Sequence, residues 1–217
     1  MKQFTLFFLG LFLSAALSQV HAGESSTLST ISIYWDASAS MQNRDITKDK
    51  QFLKSYLEQQ DNGTFTFTVF SNSIIYTNEF NINAYNWEEL SGIIDTIDYD
   101  GSSCYACIDF NKAIKATLLF TDANFTYSKI KLGNKTPLII VDSSSETRNA
   151  YADNIAQTAG GAYLNLKIES VTTGLTKTTA LRSSAFNPNI SKDKNGTVEG
   201  VVLYSKGELA DVNVLNK

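Results

Sequence analysis

Apolar positions recur along this chain with two spacings, one of two residues and one of about 3.6 residues. Short apolar or alternating runs bounded by turn residues predict six strands, at residues 31–35, 64–70, 73–80, 117–121, 136–141 and 162–166. Helical spacing predicts four helices, at residues 46–57, 87–97, 105–115 and 149–158. Residues 123–135 are polar without a helical period, which predicts an irregular connection. This alternation predicts an α/β fold, a doubly wound, mostly parallel and Rossmann-like six-stranded sheet of order 3-2-1-4-5-6 flanked by helices.

Both ends of the chain depart from this pattern. An apolar run at residues 4–17 follows a short basic start, and small residues at Val20 and Ala22 predict signal-peptide cleavage after Ala22. Residues 183–217 contain loop signals and two short alternating runs, so we expect a β-hairpin-like extension. It either packs on the main domain or begins a further, truncated β domain. The predicted organisation is a signal peptide at 1–22, a linker at 23–29, a main domain at 30–182 and the extension at 183–217.

Hydropathy and composition restrict the expected cellular location of the chain and the classes of partner it could bind. The apolar run is shorter than the roughly 20 residues that span a bilayer, and no later run is long enough. We therefore expect export to the periplasm or cell envelope, or secretion, without membrane insertion of the mature chain. His21, the only histidine, lies in the predicted leader, which argues against histidine catalysis and histidine-ligated zinc. The net charge of −4 gives no electrostatic reason to bind nucleic acid.

An aspartate and two alternate serines follow the first predicted strand. Asp36, Ser38 and Ser40 would lie on the loop that leads to the next helix. Mg²⁺ prefers oxygen ligands and retains several waters, so one carboxylate and two hydroxyls supply part of a coordination shell. The motif alone is weak, because Asp and Ser also favour strand ends and helix caps. Asp142, after the fifth strand, is a weaker ligand candidate that we expect to cap the following helix.

This Asp-x-Ser-x-Ser spacing resembles the metal-ion-dependent adhesion site of the von Willebrand factor A domain family. In that family a loop between two helices supplies a threonine, and a loop after the fourth strand supplies an aspartate. Residues 99–103 resemble the loop between the helices, with Ser103 in place of the threonine, and residues 118–123 resemble the loop after the fourth strand, with Asp122 as the carboxylate. The resemblance covers about residues 30–168. It implies a metal site formed by Asp36, Ser38, Ser40, Ser103 and Asp122.

Two alanines depart from the family pattern. Ala39 and Ala123 occupy positions where the family commonly has glycine. If either position requires a positive φ, the Cβ of alanine strains the backbone. Tighter loops would then lower the affinity for an ion.

The resemblance also implies a function. A bound Mg²⁺ or Mn²⁺ would keep one coordination position for a carboxylate of a partner protein, and the chain would be a protein-binding module for adhesion or scaffolding. It is similar to exported bacterial proteins that combine an A domain with other modules, and it implies no enzyme activity. One alternative is a Mg²⁺-dependent phosphotransferase or hydrolase of the haloacid dehalogenase type, although that chemistry needs a second carboxylate where this chain has Ser38. Another is an A-type scaffold with a vestigial metal site.

Cys104 and Cys107 form a C-x-x-C pair beside Ser103. Three interpretations remain open. These are a local disulfide, which oxidising compartments favour, a redox pair activated at a helix N-terminus, and ordinary buried thiols. The pair does not follow a strand as in thioredoxin-like units, which argues against redox catalysis. A disulfide here would stiffen the loop that carries Ser103.

Overall fold

A six-stranded sheet forms the centre of the chain. The computed structural model describes residues 30–110, 115–124, 128–132, 136–183, 202–203 and 209–210. The strands of the sheet are β1 (Thr30–Asp36), β2 (Thr64–Phe70), β3 (Ile74–Asn81), β4 (Ala116–Phe120), β5 (Leu138–Asp142) and β6 (Ala162–Asn165). Their order is β3-β2-β1-β4-β5-β6, with β3 antiparallel to β2 and the other neighbours parallel. The predicted mostly parallel α/β sheet and its strand order are confirmed.

Four α-helices accompany the sheet in the described part of the chain. They are α1 (Ile46–Glu58), α2 (Trp87–Asp95), α3 (Ala150–Thr158) and α4 (Val171–Ser183). The first three agree with the predicted helices to within two residues at each end. Polar side chains fix where they begin, because Asp45, Asn86 and Asn149 each accept a hydrogen bond from an amide of the first turn.

The helix α4 was not predicted from the sequence, because its apolar residues follow no helical spacing. It is rich in threonine, a poor helix former. Packing compensates for this low helix propensity. Gly174 faces the core so closely that a Cβ added there would lie 3.3 Å from the Phe52 ring and 3.5 Å from the side chains of Leu164 and Leu166. The helix therefore approaches α1 and β6 closely, and tertiary contacts rather than local propensity stabilise it.

The predicted helix at residues 105–115 is wrong over its described part. Tyr105–Cys107 forms a single 3₁₀ turn, and Ile108 is extended, with φ −95° and ψ 130°. Residues 111–114 lie outside the described residues. The apolar spacing has another cause, because Tyr105, Ile108 and Phe110 are buried in the apolar layer against one face of the sheet.

The sheet separates two apolar layers. Ile31, Ile33 and Trp35 of β1 belong to a cluster with α1, α2 and α4, whereas Tyr34 belongs to a second cluster with α3. This alternation follows from the two-residue period of a strand. Full burial of a large apolar side chain contributes about 1.5–3 kcal/mol, so the central strands and the loops at their ends have well-defined positions.

The carboxyl ends of β1 and β4 meet at one edge of the sheet, because the two strands are adjacent and parallel. The direction of winding reverses between them, and doubly wound folds bind ligands in the crevice at this point. Between β4 and β5 the described residues, 121–124, 128–132 and 136–137, form neither helix nor strand, in agreement with the predicted irregular connection.

The carboxyl-terminal part contains a short antiparallel pair, β7 (Val202–Leu203) and β8 (Leu209–Ala210), within the predicted hairpin-like extension. The remainder of that extension, the predicted signal peptide and the predicted linker lie outside the described residues. In the part of the chain that the structure describes, no helix combines the length and the apolar character needed to cross a bilayer.

Candidate metal site

Asp36 is the last residue of β1, and it is fully buried. Its Oδ1 accepts a hydrogen bond from the Ser38 amide at 2.9 Å. Its Oδ2 accepts hydrogen bonds from the Ser103 hydroxyl at 2.8 Å and the Thr121 hydroxyl at 2.7 Å. These donors compensate for the loss of hydration that burial of the carboxylate imposes.

Three serine hydroxyls surround this carboxylate. Ser38 Oγ lies 3.2 Å from Ser40 Oγ and 3.0 Å from Ser103 Oγ. Backbone hydrogen bonds join the two loops that carry them, from the Ala39 amide to the Gly101 carbonyl at 3.1 Å and from the Asp100 amide to the Ala37 carbonyl at 2.9 Å. The first ligand loop, at residues 36–40, and the second ligand loop, at residues 99–103, therefore meet.

Asp122 completes the predicted set from the loop after β4. Its amide donates to Met41 Sδ at 3.0 Å, and its Oδ1 accepts from the Asn124 amide at 3.0 Å. Burial raises the pKa of Asp122, while hydrogen bonds from Asn124 and the Ser40 hydroxyl oppose this rise, and the Asp36 charge adds to it. The structure thus brings all five predicted site residues into one cluster.

Two further hydroxyls belong to this cluster. Thr121 Oγ1, which donates to Asp36, lies 2.7 Å from Tyr105 Oη, and Tyr105 Oη is also 3.4 Å from Asp36 Oδ2. Burial, followed by the nearby Asp36 charge, raises the pKa of Tyr105 far above its ordinary value, so this group remains a neutral donor. Thr121 adjoins the predicted Asp122, but no spacing in the sequence indicates the role of Tyr105.

The structure joins Cys104 and Cys107 in a disulfide, with Cα atoms 5.5 Å apart. The bridge closes the 3₁₀ turn that contains Tyr105, and it directly follows Ser103. One crosslinked turn therefore carries a hydroxyl on either side of Cys104 into the Asp36 cluster. The redox interpretation relied on the N-terminus of the helix predicted at residues 105–115. The structure has a 3₁₀ turn there instead.

The two alanines that replace family glycines differ in conformation. Ala123 has φ 55°, in the left-handed region, and it is the only non-glycine residue with positive φ among the described residues. Ala39 has no positive φ. The left-handed conformation costs an alanine roughly 1–2 kcal/mol, so the expected strain is present at Ala123 and absent at Ala39.

A buried ion pair lies beneath the first ligand loop. Arg44 Nε donates to Asp49 Oδ2 at 2.6 Å, and both side chains are almost completely buried. Arg44 Nη1 donates to the Asp36 carbonyl at 3.2 Å, and its guanidinium lies 4.2 Å from the centre of the Trp35 ring. The Ser143 hydroxyl also donates to Asp49 at 2.7 Å. The pair therefore connects α1 and the loop after β5 to the end of β1.

The expected role of Asp142 as a helix cap is wrong. The N-cap of α3 is Asn149, whose side chain accepts from the amides of Tyr151 and Ala152. Asp142 instead accepts from the Ser144 amide at 2.8 Å and from the Tyr163 hydroxyl at 2.8 Å. Seven residues separate Asp142 from the first residue of α3, which is too far for a helix cap. Its carboxylate stabilises the turn after β5 instead.

The donor set of the cluster fits a hard divalent cation. All of its side-chain ligands are oxygens, which Mg²⁺ and Mn²⁺ prefer. Among the described residues no group of three or more His, Cys, Asp or Glu side chains is arranged to hold a metal ion, so a site here depends on hydroxyls. Ser38, Ser40 and Ser103 would contact the ion directly, and Asp36 and Asp122 directly or through water.

Fold and cluster together define a doubly wound α/β protein with a candidate cation site at its crevice.

No protein-family model and no curated sequence matches the chain. Among solved structures, it is similar to an aerotolerance-related membrane protein from Bacteroides fragilis, at 11% identity, covering 71% of this chain and 99% of that chain, with a TM-score of 0.47. It is also similar to BatB from Bacteroides thetaiotaomicron, at 12% identity, covering 72% and 100% of the two chains, with a TM-score of 0.46. A von Willebrand factor type A structure from Catenulispora acidiphila has 14% identity, coverage of 72% and 41%, and a TM-score of 0.44.

Proposed function

We propose that this chain is a divalent-metal-dependent protein-binding module of the von Willebrand A type. The observation that carries the proposal is the cluster of three serine hydroxyls between the Asp36 and Asp122 carboxylates. Mg²⁺ or Mn²⁺ is the ion that this donor set would hold. Acting after export, the module would work in the periplasm, in the cell envelope or outside the cell.

The exposure of the cluster supports a partner that approaches from one side. Asp36, Ser38 and Ser103 are buried, whereas Ser40 is exposed and Asp122 is partly buried. Solvent therefore reaches the cluster from the side of Ser40 and Asp122. A carboxylate of a partner protein would complete the coordination shell there.

Calorimetry with Mg²⁺ tests the metal site. We expect the mature chain to bind Mg²⁺ and the Asp36→Asn variant to lose binding, while Ser103→Ala weakens it less because water replaces one neutral hydroxyl. Asp95→Asn is the control, since Asp95 lies on α2 and pairs with Lys50 rather than with any residue of the cluster. Equal ion binding by the wild type and Asp36→Asn would contradict the proposal.

A pull-down from the cell envelope of the source organism tests the partner. Complex formation should be lost in chelator, restored by Mg²⁺ and blocked by Asp122→Ala. Moderate salt should have only a partial effect, because a bond to a desolvated ion is screened less than exposed charge pairs are.

A scaffold without an ion is the second candidate function. Two observations favour it, the strained backbone at Ala123 and the hydrogen bonds that already satisfy Asp36. A partner that binds equally well in chelator would establish this scaffold and exclude the metal-dependent module.

A further inference from the structure

A groove lies beside the candidate site, between the turn that joins β2 to β3 and the end of α2. Its volume is about 490 Å³. Val69, Tyr76, Ile93 and Ile97 form its apolar lining. The other lining residues include the polar or charged Ser71, Asn72, Ser73, Thr96, Asp98 and Asp100. The groove therefore offers a ligand both apolar contact and polar groups that could orient it.

Two exposed isoleucines begin the strand that borders this groove. Ile74 is 49% exposed and Ile75 is 60% exposed, and they are two of the four large apolar side chains that the described residues leave exposed. Ile75 is part of the groove lining. Successive strand residues face opposite sides, so only Ile75 adds its exposed side chain to the groove. An exposed apolar side chain that extends an apolar lining is typical of an interaction surface.

The charges around the groove have one sign. Asp98 and Asp100 line it and are both exposed, and none of the described residues that line it is a lysine, arginine or histidine. Among the described residues, neither carboxylate belongs to an ion pair. A partner with positive charge next to an apolar side chain would therefore be complementary to this surface.

The groove is continuous with the second ligand loop. The Ser71 hydroxyl donates to the Asp100 carbonyl, and Asn72 Oδ1 accepts from the Ser102 amide at 2.9 Å. Gly101 has φ +77°, in the left-handed region that favours glycine, and a Cβ there would also clash with the side chains of Ser71 and Asn72. The turn that lines the groove thus also holds the loop that carries Ser103.

We propose that this groove binds an extended segment of the partner protein. The segment would place an aliphatic or aromatic side chain on the apolar lining and a neighbouring lysine or arginine beside Asp98 and Asp100. An extended form suits the site, because β3 is an edge strand of the described sheet. This inference rests on the proposed function, since the same segment would bring its carboxylate to the candidate metal site.

Peptide selection followed by affinity measurement tests the inference. A library of random displayed peptides is selected on the immobilised mature chain in Mg²⁺, and the most enriched peptide is synthesised for fluorescence titration. We expect enriched peptides to combine an apolar residue, an adjacent Lys or Arg, and a carboxylate. Ile75→Ser should weaken binding about tenfold, and Asp98→Asn about threefold, with a larger effect at low salt. The matched controls Ile168→Ser and Asp61→Asn change exposed residues outside the groove lining and should have no effect.

The outcomes separate this inference from the proposed function. Binding that is lost in chelator but unchanged in Ile75→Ser would overturn the groove and leave the metal site intact. Binding that is weakened by Ile75→Ser but equally strong in chelator would support the groove and contradict the metal site. Sedimentation of the chain alone gives a third arm, since self-association that Ile75→Ser abolishes would assign the groove to a second copy and overturn the partner segment.

Discussion

Replacing Arg44 by methionine should destabilise the fold strongly at neutral pH. The substitution leaves the Asp49 carboxylate buried and without its cation, while Ser143 remains its hydrogen-bond donor. Removing one partner of a buried pair costs about 3–5 kcal/mol. For a domain of this size each kcal/mol lowers Tm by about 2–4 °C, so we expect a fall of roughly 6–20 °C.

The loss should be smaller in acid, and the sign follows from the pKa of Asp49. Burial raises this pKa above the ordinary value, and the Arg44 charge is the largest opposing effect. When the pKa of a carboxyl group is higher in the folded state than in the unfolded state, its protonation stabilises the fold. This stabilisation is complete below the unfolded-state pKa of about 3.9, and it is lost as pH rises through the folded-state pKa. Without Arg44 the pKa of Asp49 rises further, so protonation of Asp49 at acidic pH should relieve part of the damage.

Thermal unfolding followed by circular dichroism at both pH values measures this effect as a difference from the wild type. Lys50→Met is the matched control, because it breaks an ion pair with Asp95 in which the aspartate is 56% exposed, and it should cost less than about 1 kcal/mol. Adding Asp49→Leu to Arg44→Met removes both charges and should restore most of the stability. A fall in Tm for Arg44→Met that is no larger than for the control, or that is the same at both pH values, would refute the reasoning.

Two other substitutions test the candidate site by independent means. Tyr105→Phe removes one hydroxyl beside Asp36 and should weaken Mg²⁺ binding about tenfold in calorimetry. Tyr34→Phe is the control and should leave the affinity unchanged, because the Tyr34 hydroxyl contacts the Asp109 carbonyl at 3.5 Å and the Ser32 side chain rather than Asp36. Equal affinities of Tyr105→Phe and the wild type would exclude the role of Tyr105. Ala123→Gly should leave the free energy of unfolding in urea nearly unchanged. Relief of backbone strain would add about 1–2 kcal/mol. Loss of a buried methyl group would subtract about 0.8 kcal/mol, and the more flexible unfolded chain would subtract about 0.4–1 kcal/mol. Ala39→Gly relieves no strain and should cost about 0.5–1 kcal/mol, so an equal loss at both positions would show that φ at Ala123 is not strained.

The sheet could be predicted because each strand carries its own signal. Thr64–Phe70 alternates threonine with apolar residues over its first part, so its two-residue period is visible without knowledge of the neighbours. Ala116–Phe120 is buried throughout and is indicated instead by its short apolar run. The helix α4 shows no helical period in its sequence. It is stabilised by close packing around Gly174, including against Phe52, which is far away in the sequence. Local propensity is a weak guide where tertiary packing decides.

The candidate site was predictable only in part for the same reason. Asp36 and Ser38 are two residues apart, and their spacing is a local pattern. The contact of Tyr105 with Thr121 joins residues that lie 16 positions apart on different elements, and no pattern in the sequence shows it. The sequence also shows an alanine at position 123 but not its backbone angle, so the strain there becomes visible only in the structure.

The long sequence separations within the Asp36 cluster would make the proposed ion binding depend on completion of the fold. Hydrogen bonds join Asp36 to Ser103 across 67 positions and to Thr121 across 85, so the oxygens converge only after β1 and β4 have paired. An unfolded chain offers no such site, and an ion at one hundred times its Kd would stabilise the native state by about 2.7 kcal/mol. If the chain binds such an ion, the surrounding concentration of divalent cations would also set how long the folded chain resists proteolysis.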